Sequence, residues 1–541
     1  MRIQASAALV FIFPVSPLVA QVPARAVPAV LEEGLARSRV MEHLDHLTNS
    51  IGPRLTGSDA FLEAARWARD RFASWGLEAK LETWATWPRG WNRGQWSGRI
   101  LEPEPLELQV ATYAWTVGTR GRVRGPLFPL PRSKTKYLKV RKKMKGYWLF
   151  GPQPSKKSVY GRFFWEAVRK DGILGIVTPT RGDKKYPNRI RVFGRYRNLF
   201  LKPEQRFPYP VVHVRYDQAK EIESWMKKGK KVVAEFEIRN RFREGQVDIP
   251  NVVAEIRGTE KPDEVVIVCG HLDSWHQATG TTDNGTGVAT TMEAARILAK
   301  VGAKPKRTIR FLLWGGEEQG LLGSVAYVRK HREEMKKVSA VFNHDAGTNW
   351  VHSLTVTKAM EPLMRKVFAP VMKMRPPEKF DGPVFVLKAV PKMGVGGGSD
   401  HASFRKVGVP AFPWGLTGRS DYGRYTWHSQ WDTYDVAIPE YQKHSATVIA
   451  LAAWGTANLP VLLPRKGLPG QPPRTAAGLR AGTRPAAGGK PPHAEKGSSD
   501  PKEGGRPESG EEKSGNPPQA RKKRIERKKA VLLNASPGFS G

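Results

Sequence analysis

Apolar runs that alternate with amphipathic stretches in the second half of the chain predict strands alternating with helices. Four short apolar runs have the length of buried strands, at residues 265–269, 308–314, 340–343 and 353–357. Between the first three runs, apolar residues recur every three or four positions, as on one face of a helix, over residues 287–298 and 320–332. This order predicts an α/β fold with a mostly parallel mixed sheet flanked by helices.

The first half of the chain has two different patterns. Residues 41–79 contain two amphipathic helical stretches around a Gly-Pro turn, and strand-like sequence follows to about residue 116. One helix face is predicted from apolar residues at helical spacing, namely Phe61, Ala64, Ala65, Ala68 and Phe72. From about 117 to 245, short apolar runs are separated by Lys, Arg, Gly and Pro. We interpret residues 117–245 as a small β-rich domain inserted into a larger one made of residues 30–116 and 246–463.

The two ends of the chain predict export and a disordered tail. Arg2 is followed by an apolar run from about residue 5 to residue 20 and then by small residues, which predicts a secretory signal over residues 1–24. A disordered apolar N-terminus or an uncleaved anchor is the alternative. No later segment reaches the roughly 18 consecutive apolar residues of a membrane span. Residues 464–541 are rich in Pro, Gly, Lys, Arg and Glu, which predicts a disordered basic tail on a secreted or periplasmic protein.

The charge of the chain raises the question of a nucleic-acid partner. The formal net charge is +39 at pH 7. The basic residues are spread over residues 134–243 and the tail, however, and no nucleic-acid-binding motif accompanies them. We therefore expect no specific nucleic-acid recognition. A basic cluster at residues 521–529 leaves open a contact between the tail and anionic surfaces.

Acidic and histidine residues follow the predicted strands. The carboxyl ends of parallel strands meet at one edge of a sheet, where functional sites gather. The candidate residues on or just beyond apolar runs are His271, Asp273, Asp283, Glu317, Glu318, Asp345 and His428. Histidine and carboxylate ligands without cysteine suit zinc with open coordination positions, and manganese or cobalt also fits. The single cysteine, Cys269, lies inside an apolar run as a core thiol would. We therefore predict a two-metal hydrolase site.

The residue types suggest a role for each element of this site. His271 is a metal ligand, and Asp273 either orients its ring or supports it from nearby. Asp283 stands in a glycine-rich turn before a helix, where its two oxygens can bridge two cations, although a helix cap is the alternative. Of Glu317 and Glu318, one binds a metal and the other accepts a proton from water. The spacing alone does not decide which glutamate does which.

Seven segments resemble the M28 family of zinc exopeptidases, in particular its carboxypeptidase Q-like and aminopeptidase branches. In the family's order, they are IGPRLTGSDAF, GHLDSW, TTDNGTG, LWGGEEQGLLGS, HDAGT, GGGSDHASF and WHSQWDTYD. The resemblance extends over residues 51–459 once the insertion is allowed for. The resemblance implies a zinc-exopeptidase fold of the phosphorylase/hydrolase-like type. It also implies that residues 117–245 form a protease-associated (PA) domain bordering the cleft.

The resemblance also implies a role for each site residue. One zinc ion would be held by His271, Asp283 and Asp345. Asp283 would bridge to a second zinc ion, and the other ligands of that ion would be Glu318 and His428. Glu317 would be the general base. His401, in the GSDH segment, would either contact the substrate or serve the loop structurally. Asn284 stands where some relatives have aspartate, which leaves the subfamily and its substrate open.

These observations predict an exported di-zinc exopeptidase that removes N-terminal residues from peptides or splits dipeptides. A non-catalytic, receptor-like binding protein on the same scaffold is the alternative, but such a protein would not need the full ligand set and the base. A cyclase on this scaffold is a third possibility. Such relatives tend to use one metal ion, whereas this chain has the complete set of ligands for two. The preferred side chain, the native metal and the oligomeric state do not follow from the sequence.

Overall fold

The computed structural model describes residues 26–180 and 182–469, so the predicted signal segment and the tail from residue 470 onward lie outside the described residues. The α-helices are α1 (Ala26–Ala36), α2 (Val40–Asp45), α3 (Asp59–Ser74), α4 (Lys134–Val140), α5 (Val159–Ala167), α6 (Tyr216–Lys227), α7 (Thr286–Lys300), α8 (Leu322–Lys330), α9 (Glu361–Phe368), α10 (His401–Arg405) and α11 (Pro439–Ala457). The strands are β1 (Glu78–Asn92), β2 (Trp96–Glu102), β3 (Leu106–Glu107), β4 (Val110–Thr112), β5 (Val123–Pro129), β6 (Trp148–Phe150), β7 (Gly175–Pro179), β8 (Val211–Val214), β9 (Val233–Ile238), β10 (Arg241–Ile256), β11 (Lys261–His271), β12 (Arg307–Trp314), β13 (Val338–Asn343), β14 (Trp350–Thr357), β15 (Val386–Val390), β16 (Ala411–Pro413) and β17 (Gly415–Thr417).

A six-stranded mixed sheet forms the centre of the larger part, with the strand order β1-β10-β12-β11-β13-β16. The pairs β12–β11, β11–β13 and β13–β16 are parallel, whereas β1–β10 and β10–β12 are antiparallel. The predicted α/β fold with a mostly parallel mixed sheet is therefore confirmed. A separate three-stranded sheet has the order β15-β14-β17, so the fourth predicted strand lies outside the central sheet.

Both faces of the central sheet are buried, which explains its continuous apolar strands. In β11, Val266 and Val268 pack toward the cluster that contains residues of α3, α7 and α11. Val265, Ile267 and Cys269 pack toward the opposite cluster, which contains residues of α8 and α10. Successive side chains of a strand point to opposite faces, so a strand covered on both sides needs apolar residues at every position.

The predicted helix face before this sheet is also present. The buried residues of α3 are Phe61, Ala64, Ala65, Ala68 and Phe72, the five predicted from helical spacing. The Ser58 hydroxyl accepts a hydrogen bond from the backbone N–H of Phe61 at 3.1 Å and so caps the helix start. The apolar face of α3 belongs to the same core cluster as α7 and α11. Within residues 26–180 and 182–469, no helix has the length and apolar character of a membrane span.

The inserted part contains an eight-stranded sheet with the order β3-β2-β9-β5-β6-β7-β8-β4. Its strands β5 to β8 are parallel to one another, and α4, α5 and α6 accompany them. The sheet begins at Trp96 rather than at the predicted boundary of 117, because β2 pairs with β9 at the other end of the insertion. Strand-like sequence runs through this junction without a break, so the pattern did not reveal it. That this part is a protease-associated domain stays a prediction.

Candidate metal centre

Parallel strands bring the candidate residues to one edge of the central sheet. His271 is the last residue of β11, Glu317 and Glu318 follow the end of β12, and Asp345 follows the end of β13. These strands are neighbours and run in the same direction, so their carboxyl ends converge. The turn before α7 adds Asp283, and the segment between β17 and α11 adds His428.

Asp283 lies between two histidines and belongs to two groups of possible ligands. His271 Nε2 is 3.3 Å from Asp283 Oδ1 and 3.3 Å from Asp345 Oδ1. On the other side, His428 Nε2 is 2.9 Å from Asp283 Oδ2 and 3.1 Å from Glu318 Oε2. Within each of these two groups the ligand atoms lie within 4.8 Å of one another. One carboxylate thus faces both groups, which is the geometry that a bridging ligand requires.

Glu317 stands apart from both groups but at the same cleft. Its Oε2 atom is 3.9 Å from His271 Nε2, farther than the two carboxylates that share that nitrogen. The cleft has a volume of about 530 Å³, and both glutamates line it together with Tyr422 and Trp427. The geometry therefore separates the two glutamates, since Glu318 belongs to a ligand group and Glu317 belongs to neither group.

The backbone of Asp273 orients His271, while its carboxylate acts elsewhere. The Asp273 carbonyl oxygen lies 2.9 Å from His271 Nδ1. Because a carbonyl only accepts, Nδ1 carries a proton, and Nε2 is the ring nitrogen that faces the carboxylates. The Asp273 carboxylate is 3.7 Å from Nδ1 and accepts from the backbone N–H of Glu317 at 3.1 Å, that of Glu318 at 3.3 Å and the Thr56 hydroxyl at 2.8 Å. It therefore holds the turn that carries the glutamate pair.

Asp432 and Asn284 shape the turn that presents Asp283. Asp432 accepts hydrogen bonds from the backbone N–H and the hydroxyl of Thr282, at 2.6 and 2.7 Å, and from the N–H of Asp283 at 3.2 Å. The Asn284 side chain accepts from the N–H of Gly287, in the first turn of α7, at 3.1 Å. Asn284 thus takes the capping role that was the alternative for Asp283. The Asp283 carboxylate remains free to face the two histidines.

Arg54 fastens the loop that follows His271. Its side chain is fully buried, with 0% exposure. The guanidinium donates to the carbonyl oxygens of Leu272 at 2.9 Å, Gly52 at 3.0 Å, Thr279 at 2.8 Å and Gly280 at 2.8 Å. Five donors in a fixed planar fork suit this task better than the single ammonium of a lysine.

The sequence pattern indicated no role for Arg54, Asp432 or Tyr422. Arg54 and Asp432 stand inside two of the seven segments, IGPRLTGSDAF and WHSQWDTYD, so the signal was present, but no spacing rule showed which way their side chains point. His401 is buried at 4% exposure and is not among the residues that line the cleft, although Gly398 of the same loop is. Burial and the nearby Arg405 lower the pKa of His401 to about 4, so its ring is neutral at pH 7.

The electrostatics of this cluster favour bound cations. Burial and the neighbouring Asp283 raise the pKa of Glu318 to about 7, and burial together with Asp345 raises the pKa of Glu317 well above its usual range. Burial works against protonation of His428, but Glu318 and Asp283 outweigh it and raise its pKa to about 9. Buried Glu318 Oε1 has no hydrogen-bond partner among the described residues. Carboxylate oxygens crowded together without donors fit divalent metal ions, so the residues present suit zinc.

A known protein family matches the part of the chain that carries the candidate ligands. Residues 251–453, which contain every candidate ligand, match the sequence profile of peptidase family M28. The chain carries a peptidase family M28 domain. It is similar to carboxypeptidase Q of Mus musculus, with 26% identity over 466 residues that cover 82% of this chain and 90% of that protein. Carboxypeptidase Q of Xenopus laevis is 26% identical over 448 residues, which cover 82% of this chain and 91% of that protein.

A solved structure supports the fold of this M28 protein. A peptidase M28 precursor from Shewanella amazonensis SB2B superimposes with a TM-score of 0.58 at 25% sequence identity, covering 82% of this chain and 98% of that one. The family expected from the seven segments is therefore confirmed, and the protein is a peptide hydrolase.

Proposed function

We propose that this M28 peptidase is an exported di-zinc exopeptidase that removes N-terminal residues from peptides or splits dipeptides. The observation that carries the proposal is the position of Asp283, whose two oxygens face His271 on one side and His428 on the other. The similarity to proteins named carboxypeptidase Q supports an exopeptidase. Export rests on the apolar N-terminal segment of the sequence, which lies outside the described residues.

The two ligand groups would each hold one divalent ion. The first group is His271, Asp283 and Asp345, and the second is Asp283, Glu318 and His428. When bound, two zinc ions would polarise the scissile carbonyl and lower the pKa of water at the site, and manganese or cobalt could substitute. Three ligating carboxylates against two divalent ions leave one positive charge, which suits a site that stabilises an oxyanion.

Glu317 and Tyr422 are the groups of this chain that would act on the reacting atoms. Glu317 lies at the cleft outside both ligand groups, where its carboxylate would accept a proton from water and deliver it to the leaving amine. Asp273 keeps the turn of Glu317 in place through the backbone hydrogen bonds. Burial and the carboxylates of Asp283 and Asp345 raise the pKa of Tyr422, so its phenol stays protonated and can donate to a developing oxyanion.

Metal content and hydrolysis of two isosteric variants test the proposal. Glu317→Gln should keep about two metal ions per chain while kcat on aminoacyl-p-nitroanilides and dipeptides falls about 10²- to 10⁴-fold, because only the proton acceptor is lost. Glu318→Gln should instead lower the metal content, because it removes a ligand. Glu333→Gln, at a side chain with 90% exposure, is the matched control and should change neither quantity.

The outcomes separate the proposal from its alternative. A wild-type protein that binds no metal and hydrolyses none of the substrates would make the chain a receptor-like binding protein. Equal loss of metal in Glu317→Gln and Glu318→Gln would show that Glu317 is a ligand rather than the base. Cleavage of internal peptide bonds in blocked peptides would contradict exopeptidase action.

A further inference from the structure

The inserted part contains a cavity far in sequence from every candidate metal ligand. It has a volume of about 510 Å³, within the range of small-molecule sites. We call it the strand-end cavity, because Pro129, Phe150 and Pro179, the last residues of β5, β6 and β7, all line it. Residues of α6 close one side, including Ala219 and Met226.

The topology of the inserted sheet explains why a cavity opens here. Leu149 and Ile176 point to the face covered by α4 and α5, whereas Phe150 and Val177 point to the opposite face with α6. After β6 the chain forms α5 on one face of the sheet, whereas after β8 it forms α6 on the other face. In parallel sheets with helices on both faces, such a divergence leaves a crevice beyond the carboxyl ends of the strands, where ligands bind.

One buried hydroxyl in the cavity has no hydrogen-bond partner among the described residues. Thr180 is only 6% exposed and lines the cavity. Its backbone N–H donates to the Val214 carbonyl oxygen at 2.9 Å, so the backbone is satisfied. Its Oγ1 atom has no hydrogen-bond partner within the described part of the chain. Because a buried hydroxyl without a partner is costly, a ligand acceptor at this position would be favoured.

The charges that line the cavity favour an anion. Lys220 and Lys227 share one carboxylate, that of Glu223, at 3.0 and 3.1 Å. Arg132 also lines the cavity and forms no ion pair with any other described residue. Among the described lining residues, three cations therefore accompany one carboxylate, and one of them is a guanidinium, the group best suited to carboxylate and phosphate.

We propose that the strand-end cavity binds a small organic anion, which carries one carboxylate or phosphate group on an apolar body. The anionic group would accept from the Arg132 guanidinium and the Thr180 hydroxyl. The apolar body would lie against Leu130, Phe150 and Met226. This site is separate from the metal centre, since the cavity and the catalytic cleft have no lining residue in common.

Calorimetric titration of the full-length, metal-loaded protein tests the proposal with four probes that share a phenyl body. They are 3-phenylpropionate, phenyl phosphate, the neutral 3-phenyl-1-propanol and the cationic 3-phenylpropylamine. At least one anion should bind about tenfold or more tightly than the alcohol, and the amine should bind most weakly. The tighter of the two anions then identifies carboxylate or phosphate as the natural group.

Variants locate the binding and separate it from anion binding at the metal centre. Arg132→Gln and Thr180→Val should weaken the anions, the former about tenfold, without weakening the alcohol. Ala219→Trp should abolish binding of all probes because the indole fills the cavity. Lys228→Gln removes a neighbouring charge that does not line the cavity and is the control. Rates of peptide hydrolysis should be unchanged in all four variants.

Two results would overturn the proposal. One is equal binding of the anions and the alcohol. The other is anion affinity that neither Arg132→Gln nor Ala219→Trp alters, which would place the anion at the metal centre. If Ala219→Trp fails to fold, Arg132→Gln still decides, because the exposed Arg132 side chain can be changed without disturbing the core.

Discussion

Replacing Asp273 with asparagine should lower catalysis strongly while leaving the metal ion at His271 in place. The Asp273 carboxylate is fully buried and accepts from the backbone N–H groups of Glu317 and Glu318. Asparagine keeps the shape but replaces one acceptor oxygen with an NH₂ donor. One of the two N–H groups then faces another donor, so the turn must shift. The His271 ring should keep its direction, because it contacts the backbone carbonyl of residue 273, which the substitution preserves.

The size of the effect follows from the bonds that change. A hydrogen bond to a charged acceptor contributes about 1.5–3 kcal/mol, and a buried donor left without a partner costs about 1–3 kcal/mol. If about 3 kcal/mol of this total falls on the transition state, kcat/KM drops about 10²-fold, since each 1.36 kcal/mol is one factor of ten. The remainder lowers the free energy of unfolding.

The assay compares kcat/KM and metal affinity in the same preparations. Thr56→Val is the matched control, because it removes a neutral donor to the same carboxylate and leaves both backbone bonds in place, so its loss should stay below about tenfold. Should Asp273→Asn instead lose both metal ions and recover its activity in excess zinc, the carboxylate would act on His271 and the reasoning would be refuted. An unchanged kcat/KM would refute it equally.

Three further predictions concern the surroundings of the site. Arg189→Met removes donors to the carbonyl oxygens of Gly423 and Trp427 beside the second ligand group, and kcat/KM should fall about tenfold or more. Gly347→Ala, at a φ of +94°, brings a Cβ to 2.7 Å from the Tyr422 ring and should lower the free energy of unfolding by about 2 kcal/mol or more. On folding, His331 comes next to the carboxylates of Glu82 and Glu334, which raise its pKa. The contribution of this contact to the free energy of unfolding is therefore fully present below pH about 6.5 and is lost as the pH rises through the raised pKa. His331→Gln should therefore cost more stability in urea unfolding at pH 5.5 than at pH 8.5.

Matched variants control these measurements. Lys185→Ala removes an exposed ion pair with Asp421 from the same contact region as Arg189, and kcat/KM should change less than about twofold. Gly423→Ala places a Cβ where no atom lies within 4 Å and should leave the free energy of unfolding within about 0.5 kcal/mol. For His331→Gln, a loss that is equal at both pH values would contradict an ionic contribution.

The sequence by itself determined the central strands and the chemical types gathered at their ends. Strands buried on both faces must be apolar throughout, so continuous apolar runs in the sequence were enough to predict β11, β12 and β13. Parallel strands that follow one another through helices place their carboxyl ends together, which predicted that His271, the glutamate pair and Asp345 would converge. The amphipathic face of α3 was visible for the same local reason.

Other features did not follow from local pattern. The last helix, α11, is buried along almost its whole length. It therefore lacks the polar stripe that marks an amphipathic helix, and its sequence pattern did not predict it. The boundary of the insertion became visible only through the pairing of β2 with β9, which joins residues more than a hundred positions apart.

Only the tertiary structure decided which partner each candidate site residue meets. A rule based on sequence spacing cannot distinguish two adjacent glutamates. Their contacts differ because His428, which is far along the chain, lies close to Glu318. Asp273 is only two residues after His271 in sequence, yet its carboxylate accepts hydrogen bonds from the glutamate turn. Arg54 and Asp432 act through hydrogen bonds to distant loops. Local sequence sets which groups are available, whereas the direction of a side chain and the partner it meets depend on long-range packing.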